Sequence, residues 1–250
     1  MQISKYSASG NDFVIFHTFL EIDRSELAKK LCHRQFGIGA DGLVVLLPSN
    51  SNEYDFKWQF YNSDGSIASM CGNASRAVAH YAFINGLCKE KTKFLTGAGI
   101  IEAEVENDIV ESALTPTKII KEEFEDNGFI WSHYDTGVPH LVTFVDDLDI
   151  YDKKVARDMR QKYDANVNYA KFDDGKIYIR TYERGVEDET LACGTGMAAA
   201  FFSALRQNLV KNSIEIYPKS KEKLILTYKN NKIYFKGKVV KVFDIIKYIS

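Results

Sequence analysis

Met70-Cys71-Gly72-Asn73-Ala74-Ser75-Arg76-Ala77-Val78-Ala79-His80-Tyr81-Ala82-Phe83-Ile84 and, further along, Ala192-Cys193-Gly194-Thr195-Gly196-Met197-Ala198-Ala199-Ala200-Phe201-Phe202-Ser203-Ala204-Leu205 decide the architecture. Just after each Cys-Gly the spacing predicts a helix, over residues 74–84 and 197–205, that is apolar nearly all round. A helix without a polar face is enclosed by other structure rather than laid on a surface. Gly86 and Asn208 supply the stops.

Around these two helices the sequence alternates as strands do, in Phe56-x-Trp58-x-Phe60, in Lys176-Ile177-Tyr178-Ile179-Arg180 and in Leu224-Ile225-Leu226-Thr227-Tyr228. Two further helices of surface type are expected. One follows Asp23 and Glu26, whose spacing is that of a capping box before Leu27-Ala28-Lys29-Lys30-Leu31, and the other covers about Lys153 to Tyr163.

The chain also echoes itself. Ser9-Gly10-Asn11-Asp12-Phe13-Val14 returns as Thr136-Gly137-Val138-Pro139-His140-Leu141-Val142, and Arg34-Gln35 as Arg160-Gln161 before the strand Asn166-Val167-Asn168. Tyr61-Asn62 and Cys71-Gly72-Asn73 return as Tyr182-Glu183 and Cys193-Gly194-Thr195, all in one order and at offsets of 121 to 127 residues. A repeat that long is a duplicated unit, not a solenoid. The expected fold is therefore α/β of the strand-rich α+β kind: two pseudo-symmetric halves, each a mixed sheet wrapped around a central buried helix, with the active site in the cleft between them. The halves are expected at 1–115, carrying Cys71, and 116–240, carrying Cys193, with a C-terminal strand at about 241–250 packing back onto the first.

Composition narrows the function. A length of 250 residues with 45% hydrophobic and 26% charged residues suits a globular protein with a real core, and a net charge of -2 offers no basic field for nucleic acid. No apolar stretch is long enough for a membrane span, and Met1-Gln2-Ile3-Ser4-Lys5 runs into patterned sequence without a signal-peptide core, so a cytoplasmic protein is expected. Cys32, Cys71, Cys88 and Cys193 include no C-x-x-C pair, which argues against a zinc knuckle or a thioredoxin motif, and no metal is expected. Cys32 and Cys88 read as small buried hydrophobes.

Cys71 and Cys193 read differently. Each precedes a glycine and an enclosed helix, where unpaired N–H groups and the helix dipole favour an anion and so a thiolate. One such thiol per half suggests a matched acid/base pair: one takes a proton from a substrate carbon while the other delivers a proton to the opposite face. The N–H groups at Gly72-Asn73 and Gly194-Thr195 would hold the adjacent carboxylate as negative charge develops. That chemistry is stereoinversion, and it requires no cofactor.

Asn11-Asp12-Phe13, Gly37-Ile38-Gly39-Ala40-Asp41-Gly42, Asn62-x-Asp64-Gly65-Ser66 with Met70-Cys71-Gly72-Asn73, Pro139-His140, and Tyr182-Glu183-Arg184-Gly185 with Glu189-Thr190-Leu191-Ala192-Cys193-Gly194-Thr195-Gly196 together resemble the diaminopimelate epimerase family over nearly the whole chain. The resemblance implies a pyridoxal-independent isomerase with two similar α/β halves that interconverts LL- and meso-2,6-diaminopimelate for lysine biosynthesis. It implies Cys71 and Cys193 as the acid/base pair, with Gly72, Asn73, Gly194 and Thr195 on the reacting carboxylate. Asn11, Asn62, Asn166, Glu183 and Arg184 fall on substrate positions, Glu183 suited to an ammonium and Arg184 to a carboxylate. His140, at the Pro-His position, would orient or tune the thiols or serve a structural hydrogen bond. Asp41 and Asp64, each beside glycine, read as turn residues.

Three positions depart from the family pattern. Ala77 stands where many members carry a second Cys, Val138 where an Asn is common before Pro-His, and Gly42 where some members use Gln. Val138 and Gly42 cannot make those side-chain contacts. The partner is a small-molecule substrate, and the resemblance admits a homodimer. The rival readings are another two-thiol racemase, such as one acting on proline or hydroxyproline, and a non-catalytic duplicated binding protein whose cysteines are merely buried.

Overall fold

A computed structural model describes residues 2–246. In chain order the elements are β1 (Gln2–Ala8), β2 (Asn11–His17), α1 (Ser25–Cys32), β3 (Gly42–Pro48), β4 (Phe56–Asn62), α2 (Gly72–Ile84), β5 (Lys91–Thr96), β6 (Gly99–Glu106) and β7 (Ile109–Ala113). There follow β8 (Lys118–Asp126), β9 (Phe129–Asp135), β10 (Pro139–Phe144), α3 (Lys153–Tyr163), β11 (Asn166–Asp173), β12 (Lys176–Glu183), the short β13 (Asp188–Thr190), α4 (Gly194–Arg206), β14 (Ser213–Tyr217), β15 (Leu224–Lys229), β16 (Lys232–Lys238) and β17 (Val240–Ile246). No helix among the described residues is long and apolar enough to cross a membrane.

The chain forms two compact units, one running to Ala113 and resumed from Gly237, the other Leu114–Lys236. Each repeats the same pairing scheme. In the first, β1 is antiparallel to β2, β2 parallel to β3, β3 antiparallel to β4, β4 parallel to β5, and β5, β6 and β7 are antiparallel in turn. In the second, β9, β10, β11, β12, β14, β15 and β16 follow with the same alternation of sense. An outer antiparallel strand extends each sheet, β17 beside β1 and β8 beside β9. Residues 247–250 of the expected C-terminal strand lie outside the described residues.

The period-two alternation of the strands builds two layers of core per sheet. In the first unit Phe13, Ile15, Val44 and Leu46 face α2 together with Tyr6, Phe60 and Phe94, while Val14, Phe16, Leu43 and Val45 face α1 with Ala28 and Leu31. α2 touches β1, β2, β3, β6 and β7, so the sheet wraps round it, and its Ala74, Ala77, Ala79 and Ala82 are small enough to let the strands approach. In the second unit Leu141, Val167 and Tyr169 pack with Ala156 and Met159 of α3. The alternate residues of those strands, His140, Asn166 and Asn168, therefore fall on the opposite face, that of α4.

The two enclosed helices are equivalent to the residue. Each has 13 residues, and each ends in a left-handed residue, Gly86 (φ 70°) or Asn208 (φ 56°). Leu87 N and Leu209 N reach back to Ala82 O and Ala204 O, closing the same helix end. The expected capping box on α1 is not formed. The helix starts at Ser25 behind Arg24, Asp23 Oδ1 takes the N–H and hydroxyl of Ser25, and Glu26 pairs with Lys29 at 2.7 Å instead of reaching back. Arg24 displaces the box because burial draws its guanidinium inward onto Gln59 Oε1 at 2.5 Å.

Candidate active site

In the second unit the N-cap of α4 is Cys193, extended at φ -125° and ψ 107°, and its carbonyl accepts the first helical bond from Met197 N. Backbone N–H groups in this first turn have no partner within the helix. Cys193 is 8% exposed, and its Sγ lies 3.5 Å from Thr195 Oγ1. The same hydroxyl lies 2.9 Å from His140 Nε2, while Thr195 O accepts from Thr136 Oγ1 at 2.9 Å. His140 is wholly buried, and burial, then the fields of Arg184 and His133, push its imidazole down to about 3. It is a neutral ring at physiological pH.

Asn166 donates to Pro139 O at 3.0 Å and accepts the Arg184 backbone N–H at 2.8 Å, tying β11 to the turn beyond β12. The Arg184 guanidinium is about one-third exposed and donates to Asp164 at 2.9 Å. Glu183 is half-buried at the end of β12. The segment leading to Cys193 is held from below. Glu189 is a largely buried carboxylate gripped by Arg180 at 2.6 and 3.0 Å and by Lys219 at 2.7 Å, and Ser220 N bonds Leu191 O. Burial pushes Glu189 up, but the two cations outweigh it and hold the carboxyl low.

In the first unit Cys71 caps α2 in the same way, at φ -152° and ψ 123°, with its carbonyl accepting from Ser75 N. Two residues on, where the second unit has Thr195, stands Asn73. Its Oδ1 accepts from the fully buried Arg76 at 2.7 Å, and its Nδ2 donates to Asn11 Oδ1 at 2.7 Å. Asn11 Nδ2 in turn donates to Asp41 Oδ2 at 3.0 Å, and Asp41 pairs with Arg34 at 2.7 Å. Arg34 and Lys5 share Asp12. Burial raises that carboxyl, yet Arg34, Lys5 and the Asp41 amide bring it down to about 2. Asn62 is exposed at the end of β4 and bonds Ser66 Oγ at 2.9 Å.

The diaminopimelate epimerase family model matches residues 3–119 and 133–242. The chain belongs to the diaminopimelate epimerase family. A diaminopimelate epimerase of Nitratiruptor sp. is 60% identical over 99% of this chain and 98% of the relative, and one of Campylobacter lari is 54% identical over 98% of each. Among solved structures, a PhzC/PhzF protein of Clostridium difficile matches with a TM-score of 0.77 at 14% identity over 100% of both chains. A hydroxyproline epimerase of Agrobacterium vitis with bound trans-4-hydroxy-L-proline matches at 0.72 and 14%, over 98% of this chain and 91% of that one. At such identity these two show the fold, a mixed-sheet architecture of two pseudo-symmetric halves.

Within that family frame the first unit gathers Asn11, Gly72 and Asn73 beside Cys71, and the second gathers His140, Asn166, Gly194 and Thr195 beside Cys193. Asp41 lies in the bend before β3, and its carboxylate also accepts from the Asn11 amide. Asp64 does close a turn, accepting from Ser66 N and Oγ. Gly42 follows from packing, since a Cβ there would meet the Phe60 ring at 2.7 Å and Tyr61 O at 2.9 Å. Cys32 is buried against α1's core with its thiol pushed up to about 12 by burial, and burial raises Cys88 as well. Sequence reasoning missed Arg76, Arg34 and Asn168. Asn168 was legible in principle, because alternation along Asn166-Val167-Asn168 puts both amides on one face.

Proposed function

We propose that this enzyme interconverts LL- and meso-2,6-diaminopimelate without pyridoxal, with Cys71 and Cys193 as the two acid/base groups at one α-carbon. One observation carries the reading: a chain of this family builds the same cysteine-capped, enclosed helix twice, at an offset of 122 residues. A thiol at a helix N-terminus is favoured as thiolate, and a thiolate is a competent base near neutrality.

In each direction the α C–H bond breaks as one sulfur gains the proton, and the other sulfur's S–H bond breaks as a C–H bond forms on the opposite face. The thiols exchange protonation states, and no electrons enter or leave. N–H groups at Gly72, Asn73, Gly194 and Thr195 hold the reacting carboxylate, whose charge grows in the carbanionic transition state. Asn11, Asn62 and Asn166 supply amide donors and acceptors, Glu183 takes an ammonium, and Arg184 takes a carboxylate in its planar fork. Lysine biosynthesis is the corresponding role, and cytoplasmic location goes with it.

The test is conversion of LL-diaminopimelate by the purified chain under reducing conditions with no pyridoxal phosphate added, with L-proline and trans-4-hydroxy-L-proline assayed beside it. Formation of the meso isomer with both prolines left unchanged supports the reading. Inversion of a proline faster than of diaminopimelate overturns it in favour of the rival racemase.

A further inference from the structure

The two units are not equivalent around their cysteines. In the first, the strand positions matching His140 and Asn168 are Phe13 and Val44, both in the apolar core against α2. In the second, a buried polar chain runs from Thr181 through Asn168, His140 and Thr195 to Cys193.

The direction of that chain follows from which atoms can only donate. Asn168 Nδ2 lies 2.8 Å from Leu141 O, which can only accept, and Asn168 Oδ1 takes the Thr181 hydroxyl at 2.9 Å, so the amide orientation is fixed. The second hydrogen of that nitrogen points at His140 Nδ1, 3.1 Å away. An amide nitrogen cannot accept, so Nδ1 must offer a lone pair. A neutral imidazole then carries its hydrogen on Nε2. Nε2–H donates to Thr195 Oγ1, and the Thr195 hydroxyl hydrogen is turned away from the ring, toward Cys193 Sγ. Asn166 Nδ2 lies farther from Nε2, at 3.4 Å, and has Pro139 O as its own acceptor. Gly196 belongs to the same device, because a Cβ there would stand 2.4 Å from Asn168 Oδ1.

We infer that Asn168 is a positioning residue: it fixes His140 as the Nε2–H tautomer so that the Thr195 hydroxyl donates to the Cys193 sulfur and stabilises its thiolate. The inference rests on the reading of Cys193 as a catalytic thiol. Hydrogen bonding to the charged form favours that form. His133 on β9 and Arg184 beyond β12 are the titratable groups whose fields reach His140 from neighbouring elements, and burial with both of them keeps the ring neutral.

The test reads the tautomer and the thiol directly, in the intact chain, without an epimerase assay. Two-dimensional NMR of protein labelled with 15N-histidine should show His140 with a protonated Nε2 and an unprotonated Nδ1 at pH 7. A hydrogen on Nδ1, or an imidazolium, overturns the inference. Iodoacetamide alkylation of Cys193, followed against pH by peptide mass spectrometry, supplies the second readout. Thr195→Val should move the Cys193 profile up by about one pH unit or more, and Thr195→Ser should leave it near wild type. Asn168→Asp should accept from Nδ1–H, reverse the chain and move the profile up as well. Identical profiles in wild type, Thr195→Val and Asn168→Asp, all folded by circular dichroism, overturn the inference. Because neither readout needs turnover, failure here is distinct from failure of the diaminopimelate assignment.

Discussion

Thr195 Oγ1 stands 3.5 Å from Cys193 Sγ, whereas Asn73, at the same two-residue spacing from Cys71, turns its amide to Asn11 at 2.7 Å. The duplicated scaffold thus gives its two cysteines the same backbone setting and different side-chain company. The backbone setting is what the proposed chemistry needs twice, since each sulfur must serve as base in one direction and as acid in the other.

Replacing either proposed base should therefore stop the reaction. Cys71→Ala and Cys193→Ala are expected to fold and to lose inversion, measured by chromatography of the diaminopimelate isomers. Cys32→Ala and Cys88→Ala should remain active, because their thiols sit in apolar packing. Cys32→Ala should cost about 1 kcal/mol in urea unfolding for the small cavity it leaves. Full epimerisation by a folded Cys71→Ala or Cys193→Ala enzyme would contradict the assignment.

Arg184 is held by Asp164 at 2.9 Å in this structure, so a substrate carboxylate must share or replace that partner. Arg184→Lys keeps the charge but loses the fork. A charge-assisted contact contributes about 1.5–3 kcal/mol, so kcat/KM for LL-diaminopimelate should fall on the order of tenfold or more. Arg184→Ala should be worse. L-Lysine, which lacks the second carboxylate, should be a poor substrate for the wild type, and an Arg184→Ala enzyme unimpaired on diaminopimelate would make the arginine structural.

His140 predicts a pH dependence of stability. Its folded value, about 3, lies below the value of about 6.5 for an unfolded histidine. Above pH 6.5 both states are neutral there and the burial carries no proton cost. As pH falls from 6.5 toward 3 the unfolded chain takes up a proton that the folded chain refuses, so stability is lost, at up to about 1.4 kcal/mol per pH unit. Urea midpoints at pH 7.5 and 5 should therefore fall less in His140→Gln than in wild type. Burial also pushes His80 and His133 down, so the dependence should flatten without vanishing. An unchanged slope in the variant would show that His140 is protonated in the folded state.

Gly196→Ala should be destabilising beyond its helix position. Alanine is ordinarily the better helix former, yet its Cβ would meet Asn168 Oδ1 at 2.4 Å. Overpacking of this kind costs about 1–3 kcal/mol. A thermal midpoint equal to or above that of wild type would mean that Asn168 yields freely.

Much of this was legible in the sequence because the strongest signals were local and repeated. Apolar runs with no polar face, each behind Cys-Gly, fix an enclosed helix from composition alone, and the second surface helix, Lys153–Tyr163, falls where its pattern puts it. The polar company of the thiols was less legible, for a physical reason. Asp41 beside a glycine reads only as a turn residue until folding sets its carboxylate 3.0 Å from Asn11 Nδ2, and Arg76 looks like a stray cation in a buried helix until Ser9, Asn73 and the Lys238 carbonyl converge on it. Apart from the Arg76–Asn73 bond within α2, those contacts join residues 30 to 162 positions apart, beyond the reach of any local pattern. The Asp23 capping box failed in the same way, because Arg24, which takes the N-cap position of α1, bonds Gln59 on the distant strand β4.

The most direct test of the two-thiol account is inversion of LL-diaminopimelate in D2O, with the recovered substrate and the meso product analysed separately by mass spectrometry at early times. With two bases, the proton removed at one face is not the one returned at the other. The account predicts one solvent deuterium at the inverted α-carbon of essentially every product molecule, while recovered LL substrate stays largely protiated. Product that retains its original α-proton, or deuterium appearing as readily in recovered substrate as in product, would contradict it.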